Sequence, residues 1–471
     1  MINSNMIPGS CRIMHLPFTF LTIFFLLALT PGCKVQQPLS NPSPAEVLSR
    51  DSSLRQAHLG ISVFDPAEGK YLISYQDDKY FIPASNTKLF SLYAGLKFLR
   101  DSLPAIRYVE SDAEIFLIPT GDPSFLHPDF IKQPVIDFLR STGKKIYITD
   151  RNWKDEAWGS GWSWDDYNDD YMAERSALPV YGNMVRWYQT RQEQKSQDLN
   201  LQSSVSVYSV PEINWKVRFK SDSSQKSFFV KRKLDENYFE IYQGNENFRE
   251  QDVPFITHGI SSAIELLKDT VGDRIFYLDS SEHRSLFETF KSLQPHARLI
   301  HSRPVDSLFR IMMYRSDNFF AEQTLLLAAN ERLGIMNDAQ MIDTLLKTDL
   351  NGLPEPPNWA DGSGLSRYNL FSPRDFVWLL NKMKNEFGLE RMKGLLPTGG
   401  SGTLRNYYKQ DSGYIYAKTG SLSDVLCLSG YLYASSGKLL IFSVLVNNHL
   451  SVPSSIRRAV EKFIEECRRK Y

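Results

Sequence analysis

Strand-like segments at the two ends of the chain constrain its fold more than any other feature. Residues 59–75 contain two β-type runs on either side of the turn Asp65–Gly69, which predicts a hairpin. Residues 414–447 contain three further β-rich runs. Helical patterns occupy 85–99 and 453–469. We therefore predict an α/β (α+β) domain in which a five-stranded antiparallel sheet is built from both ends of the chain and flanked by helices.

The middle of the chain is predicted to form a separate, inserted domain. At 471 residues the chain has room for about two to four domains. Residues 105–255 are aromatic and strand-like, whereas the pattern becomes helical from about residue 260 to residue 392. We therefore predict a discontinuous domain, 51–104 with 256–471, interrupted by a β-rich domain at 105–255.

The N-terminal segment resembles an export signal. Leu16–Leu29 is an unbroken apolar run, too short for a bilayer span of about 17–25 residues but typical of a signal peptide. It ends at Cys33, in a context that resembles the lipidation site of bacterial lipoproteins. Residues 1–33 are thus predicted to be a lipoprotein signal and residues 34–50 a linker. An exported, periplasmic, lipid-anchored protein is expected; an uncleaved anchor and simple secretion are the alternatives.

Charge and composition exclude several functions. The 54 Lys and Arg residues offset 54 Asp and Glu residues, so no basic excess exists to bind nucleic acid. The eight histidines form no H-E-x-x-H pattern, and we predict neither a metal nor another cofactor. Outside the signal segment, Cys427 and Cys467 remain; two separate buried thiols are favoured over a disulfide.

The first candidate motif is Ser85-Asn86-Thr87-Lys88, at the head of an apolar helix. Residues three apart share a helix face, so the Lys88 amine can reach the Ser85 hydroxyl. A serine needs such a base to become a nucleophile, and burial or a second cation would keep the amine neutral. Because S-x-x-K also occurs elsewhere in the chain, a purely structural N-cap role for Ser85 is the alternative.

The second motif is Ser316-Asp317-Asn318, between two predicted helices. Short polar residues at a helix junction are often caps, which is one interpretation. In the other, Ser316 passes a proton while Asn318 binds a substrate amide and the Lys88 amine.

The third motif is Lys418-Thr419-Gly420-Ser421, within an apolar strand. Lys418 is either a solvated edge residue or an anchor for a substrate carboxylate, with Gly420 allowing another backbone to approach.

Together and in this order, the three motifs form the signature of class A β-lactamases and penicillin-binding proteins. Four further motifs are Gly121-Asp122-Pro123, Gly161–Asp166, Asp361–Arg367 and Leu396–Leu404. With them, the sequence from about Leu59 to the C-terminus resembles the D-alanyl-D-alanine carboxypeptidase/endopeptidase family, the class C low-molecular-mass penicillin-binding proteins. The resemblance implies a penicillin-recognising transpeptidase/β-lactamase-like domain with a large insertion.

The resemblance also implies a reaction and the residues that perform it. A serine-type D-Ala-D-Ala carboxypeptidase/DD-endopeptidase would act on peptidoglycan stem peptides and be inhibited covalently by β-lactams. Ser85 would be acylated, Lys88 would be its base, and Ser316 and Asn318 would assist proton transfer and positioning.

Substrate contacts are implied in the same way. Lys418 and Thr419 would hold the terminal carboxylate, and the backbone N–H groups of Ser85 and Ser421 would form the oxyanion hole. Asp166 and Arg367 would read the stem peptide, or are simply paired and structural. Two other functions are weighed: a β-lactamase, for which no second base motif is evident, and a catalytically silent wall-binding or β-lactam-sensing protein.

Overall fold

The computed structural model describes residues 43–194, 202–221, 225–279 and 281–471. The strands, in chain order, are β1 (His58–Asp65), β2 (Lys70–Tyr75), β3 (Ser102–Glu110), β4 (Glu114–Pro119), β5 (Lys145–Ile148), β6 (Met184–Gln194), β7 (Gln202–Val210), β8 (Lys216–Lys220), β9 (Phe229–Arg232), β10 (Tyr238–Tyr242), β11 (Phe248–Pro254), β12 (Ile275–Tyr277), β13 (Arg298–Pro304), β14 (Ile415–Leu422), β15 (Val425–Tyr433) and β16 (Leu439–Asn447). The helices are α1 (Pro44–Ser49), α2 (Lys88–Phe98), α3 (Pro134–Ser141), α4 (Ser261–Val271), α5 (Arg284–Leu293), α6 (Val305–Arg315), α7 (Asn318–Leu333), α8 (Asp338–Lys347), α9 (Pro373–Phe387), α10 (Leu389–Leu395) and α11 (Pro453–Lys470).

Both ends of the chain form one antiparallel sheet, in the order β14-β15-β16-β1-β2. Alternate side chains of β15 face opposite cores, because successive residues of a strand point to opposite faces. Cys427 and Tyr431 pack with α2 and α9, whereas Leu426 and Leu428 pack on the side of α1 and α11. A five-stranded antiparallel sheet flanked by helices is thereby confirmed.

The segment that carries the first motif differs from a simple α-helix. Residues Ala84–Thr87 form a 3-10 turn, and α2 begins only at Lys88. The apolar residues of this predicted helix are buried, among them Leu89, Leu92 and Leu96. Polar Ser91 on the same helix is also buried, donating to the carbonyl of Gly362 at 2.5 Å. Helix α2 therefore runs through the core rather than along its surface.

A second five-stranded sheet, β12-β5-β4-β3-β13, mixes parallel and antiparallel pairs. Strands β12 and β13 follow residue 255, so this sheet draws on both sides of the boundary expected from sequence. Two three-stranded sheets, β11-β6-β7 and β8-β10-β9, complete the β-rich part. The independence of residues 105–255 as an inserted domain stays a prediction.

The N-terminal signal prediction, with Cys33, lies outside the described residues, as does most of the predicted linker. The last linker residues are folded: α1 is capped by Ser43, which exchanges hydrogen bonds with Glu46. Its Ala45 and Leu48 are buried in the core shared with α11, and apolar burial explains why a short helix forms where a tether was expected. Over the described residues, we find no helix with the length and apolarity to cross a membrane.

We predict that Phe90→Ala destabilises the protein by about 3–5 kcal/mol, because it removes a large side chain from a closed core. The Phe90 ring is fully buried, with ring centroids 4.5 Å from Phe371 and 5.4 Å from Trp359. Urea unfolding, monitored by fluorescence, measures the change in the free energy of unfolding. Phe219→Ala is the control, since that ring is 56% exposed and its removal should change stability little. Equal losses in the two variants would contradict the packing assigned to α2.

Candidate active site

The Ser85 hydroxyl lies at the edge of the first sheet, on the 3-10 turn that precedes α2. Neither the turn nor α2 has a side-chain cap, so Ser85 is not an N-cap. The turn is held by close packing on two sides, at positions where only glycine fits. A Cβ added to Gly364 would lie 1.9 Å from the Ala84 carbonyl oxygen, and one added to Gly420 would lie 2.7 Å from the Pro83 carbonyl oxygen.

The Lys88 amine is the hub of the site. It is fully buried, and its Nζ donates to Ser85 Oγ at 2.9 Å, Asn318 Oδ1 at 2.7 Å and the Ser363 carbonyl at 2.7 Å. Burial lowers the pKa of Lys88 to about 8, against the opposing effect of nearby carboxylates, chiefly Asp361. A large fraction of this amine is therefore neutral at mildly alkaline pH.

The residues of the second motif serve as caps and also point into the site. Asp317 caps α7, accepting from the Phe320 N–H at 2.8 Å, and Ser316 ends α6 in the left-handed conformation (φ 62°). At the same time, Asn318 accepts from Lys88, and its Nδ2 donates to the Tyr171 carbonyl at 3.2 Å. The capping interpretation is therefore seen in the structure, and so is the predicted contact of Asn318 with the Lys88 amine. Proton transfer by Ser316 and binding of a substrate amide stay predictions.

Lys418 is not a solvated edge residue. Its side chain is fully buried, and its Nζ donates to Ser316 Oγ at 2.7 Å and to the Thr419 carbonyl at 2.6 Å. Burial, reinforced by the charge of Lys88, holds its pKa well below the usual value. Beside it on β14, Thr419 is half-buried and Ser421 exposed.

A cavity of 590 Å³ opens beside the serine turn. Its lining includes Ser85, Ser316, Thr419, Gly420 and Ser421. The structure therefore brings all three motifs together around one cleft.

Asp166 and Arg367 lie at the periphery of the cluster. Asp166 lies near the phenol of Tyr171, whose pKa is raised by burial and by the carboxylates of Asp169 and Asp166. Arg367 is exposed and donates to the Ser423 carbonyl at 2.7 Å, at the β14–β15 turn. The contacts described for the two residues include no hydrogen bond to the Ser85–Lys88 pair.

A buried group of charges beneath Lys88 was not predicted as functional. The Ser363 carbonyl accepts from Lys88, while the Ser363 N–H donates to Glu322 Oε1 at 2.6 Å. Burial and then the Asp361 charge raise the pKa of Glu322 to about 8. Glu322 also faces Arg175, at 3.5 Å. The spacing of four residues from Asn318 along α7 is the sequence signal that places Glu322 on the same helix face.

Over the described part of the chain, no group of three or more His, Cys, Asp or Glu side chains is placed to hold a metal ion. Cys427 and Cys467 are free and buried, as two separate thiols. Burial raises the pKa of Cys467 to about 12, so this thiol is inert at neutral pH.

The five-stranded sheet between helices, with a serine–lysine pair at its edge, defines the penicillin-recognising, β-lactamase-like class. A model of the D-Ala-D-Ala carboxypeptidase 3 (S13) family matches residues 44–467. The chain belongs to this family. The predicted family and enzyme class, a serine-type D-Ala-D-Ala carboxypeptidase, are confirmed.

Individual proteins agree with this assignment. The D-alanyl-D-alanine carboxypeptidase of Actinomadura sp. (strain R39) is 24% identical over 489 residues, covering 94% of this chain and 87% of the relative. Carboxypeptidase DacB of Mycolicibacterium smegmatis is 32% identical over 161 residues, about a third of each chain. The crystal structure of penicillin binding protein 4 (dacB) from Haemophilus influenzae superimposes with a TM-score of 0.70 at 18% identity, covering 90% of this chain and 98% of that one. This last likeness concerns the fold.

We predict that Asp361→Asn destabilises the protein by about 2–4 kcal/mol, because an amide nitrogen would face buried donors that now share a carboxylate. Asp361 is fully buried and accepts from the Gly364 and Ser366 N–H groups, both at 2.7 Å, and from Trp162 Nε1 at 2.9 Å. Thermal unfolding measures the effect. Asp165→Asn, an exposed acid on the Trp162 loop, is the control. Similar melting temperatures for the two variants would contradict the structural role of Asp361.

Proposed function

We propose that the protein is a serine DD-peptidase that cleaves the D-Ala-D-Ala end, or a D-centred cross-link, of peptidoglycan stem peptides through an acyl-enzyme at Ser85. The observation that carries this proposal is the 2.9 Å contact between Lys88 Nζ and Ser85 Oγ in a buried site. A hydroxyl becomes a nucleophile only when a base of matched pKa can take its proton. The lowered pKa of Lys88, about 8, makes its neutral form accessible.

In acylation, Ser85 Oγ attacks the carbonyl carbon of the penultimate D-Ala as its proton passes to Lys88. The carbonyl oxygen becomes an oxyanion, and the backbone N–H groups of Ser85 and Ser421 are proposed to stabilise it. When the peptide C–N bond breaks, the leaving amine takes up the proton that Ser85 gave to Lys88, which returns Lys88 to its neutral form. Ser316, which accepts from Lys418 at 2.7 Å and lines the same cavity, is proposed to relay this proton. Water then cleaves the ester, freeing the shortened peptide and Ser85.

Substrate positioning is proposed for residues around this centre. Asn318 would bind a substrate amide beside Lys88, and Thr419, with Lys418 behind it, would hold the terminal carboxylate. Asp166 and Arg367 would read the stem peptide beyond the scissile bond, since their side chains are accessible. Covalent inhibition by β-lactams is part of the proposal. A structure of the Haemophilus influenzae penicillin binding protein 4 complexed with a β-lactam, 16% identical and with a TM-score of 0.66, is a fold relative that supports it.

Export and membrane attachment complete the proposal. The substrate lies outside the cytoplasmic membrane, which agrees with the apolar run Leu16–Leu29 and a lipidated Cys33. The protein would then work from the membrane surface in the periplasm.

We predict that fluorescent penicillin labels the wild type stoichiometrically and that Ser85→Ala abolishes the label, because the Ser85 hydroxyl lies against the buried Lys88 amine that is proposed to activate it. Ser141→Ala is the matched control: Ser141 and Lys144 repeat the S-x-x-K spacing, but Ser141 donates to the Phe138 carbonyl instead. Labelling is read on denaturing gels.

Three other outcomes would contradict the proposal. Equal labelling of wild type and Ser85→Ala would remove Ser85 from the reaction. Release of D-Ala and cleavage of cross-linked wall fragments are measured by mass spectrometry. A protein that is labelled but gives neither product would be a β-lactam sensor. Rapid turnover of a chromogenic cephalosporin would mean a β-lactamase.

We predict that the acylation rate rises with pH through a midpoint near 8, the pKa of Lys88. An amine accepts a proton only when neutral, so the rate falls about tenfold per pH unit well below that midpoint. Lys88→Arg should lose about 100- to 10,000-fold at alkaline pH, and the rise of the rate with pH should disappear, because a guanidinium stays charged. Stopped-flow measurement of the acylation rate across about pH 5–10 gives the pH profiles of the wild type and of Lys88→Arg. Circular dichroism checks that the variant is folded. Wild-type rates in Lys88→Arg would exclude Lys88 as the base.

A further inference from the structure

Helix α11 places a guanidinium at the mouth of the cleft. Arg457 Nη2 donates to Ser421 Oγ at 3.0 Å, and Arg457 lines the same cavity as Ser85 and Thr419. Its side chain is half-buried, and over the described residues it forms no ion pair. A cation that is unpaired and partly shielded from water attracts anions, and here it would bind an anionic group next to Ser85.

The charges around this cavity favour an anion. The described lining residues include three arginines and no Asp or Glu. Arg315 is already neutralised by two hydrogen bonds to Asp129, at 2.5 and 2.9 Å. Arg405 is exposed on the loop that follows Leu404. Arg457 is therefore the cation of this cavity that is both unpaired and in contact with β14.

Lys418 does not line this cavity, so its amine would act on a bound carboxylate only from behind Thr419. Its amine is sealed in the core, donates to Ser316 and to the Thr419 carbonyl, and has a pKa well below the usual value. A carboxylate that binds the Thr419 and Ser421 hydroxyls would lie close to the positive charge of Arg457, which lines the same cavity and contacts Ser421. One N–H of the Arg457 guanidinium donates to Ser421, and its other N–H groups can donate to a bound carboxylate.

We propose that Arg457 is a specificity-determining residue that binds the free C-terminal carboxylate of the substrate, next to Thr419 and Ser421. This inference rests on the proposed function, because it concerns the residue that leaves in acylation. It makes the preference for a free carboxyl end depend on α11, an element outside the three motifs. A planar guanidinium suits a carboxylate because it offers parallel N–H donors.

The test compares two depsipeptides, acyl-D-Ala-D-lactate with a free carboxylate and its C-terminal carboxamide. An ester at the scissile position lets both compounds react readily. We expect Arg457→Gln to lower kcat/KM for the free acid about 10- to 100-fold, the loss of one hydrogen-bonded ion pair. The carboxamide should change less than about twofold, since it carries no charge. Glutamine keeps a polar N–H group and removes the positive charge.

Lys462→Gln is the matched control, an exposed cation on the same helix that lies outside the cavity. It should retain the wild-type preference for the acid, and melting temperatures confirm that each variant is folded. An unchanged preference in Arg457→Gln, or equal losses on both compounds, would overturn the inference. Ser85→Ala separates this result from the proposed function. If Ser85→Ala still hydrolyses the depsipeptides, the acyl-enzyme proposal fails; if it does not, the Arg457 comparison decides the specificity question alone.

Discussion

The whole site depends on an amine buried in the core of the protein. Removing an ammonium group from water costs several kcal/mol unless partners replace the lost hydration. Three separate elements provide those partners for Lys88: the serine turn, helix α7 through Asn318, and the 361–367 loop through the Ser363 carbonyl. Each of the three elements therefore contacts the same atom, Lys88 Nζ. The surrounding carboxylates, Asp361 foremost, keep the pKa of this amine near 8 rather than far lower.

The serine turn fits between the 361–367 loop and β14 because both of these segments carry a glycine where they touch it. Gly364 has φ +81° and approaches Ala84, and Gly420 of β14 approaches Pro83 from the other side. Any Cβ at Gly364 would collide with a carbonyl oxygen that cannot rotate away. The glycines of the sequence motifs are therefore part of the packing, and the reactive side chains are positioned by backbone contacts as much as by their own hydrogen bonds.

Much of this arrangement follows from the sequence, for identifiable reasons. The sheet shared by both chain ends was predictable because strand patterns are local, and the Ser85–Lys88 contact because a spacing of three brings side chains onto one face. The extension of the second sheet to Pro304 could not be predicted from the sequence, because β13 pairs with β3 across about 190 residues. Helical spacing places Glu322 on the face of α7 that carries Asn318. Its contact with the Ser363 N–H was hidden, because periodicity carries no information about a partner on a distant loop.

The two buried lysines differ in the number of acceptors around them, and this difference bears on their protonation. An ammonium has three N–H donors, and Lys88 has three acceptors; a neutral amine has two N–H donors and a lone pair, and Lys418 has two acceptors. Electrostatics point the same way. Carboxylates raise the pKa of Lys88, whereas the charge of Lys88 lowers that of Lys418 further. The surroundings of the two amines therefore favour the charged form more strongly at Lys88 than at Lys418. In the proposed reaction, the neutral form of Lys88 would accept the Ser85 proton. The two hydroxyl–amine pairs, Ser85–Lys88 and Ser316–Lys418, are the groups on which the proposed proton transfers depend.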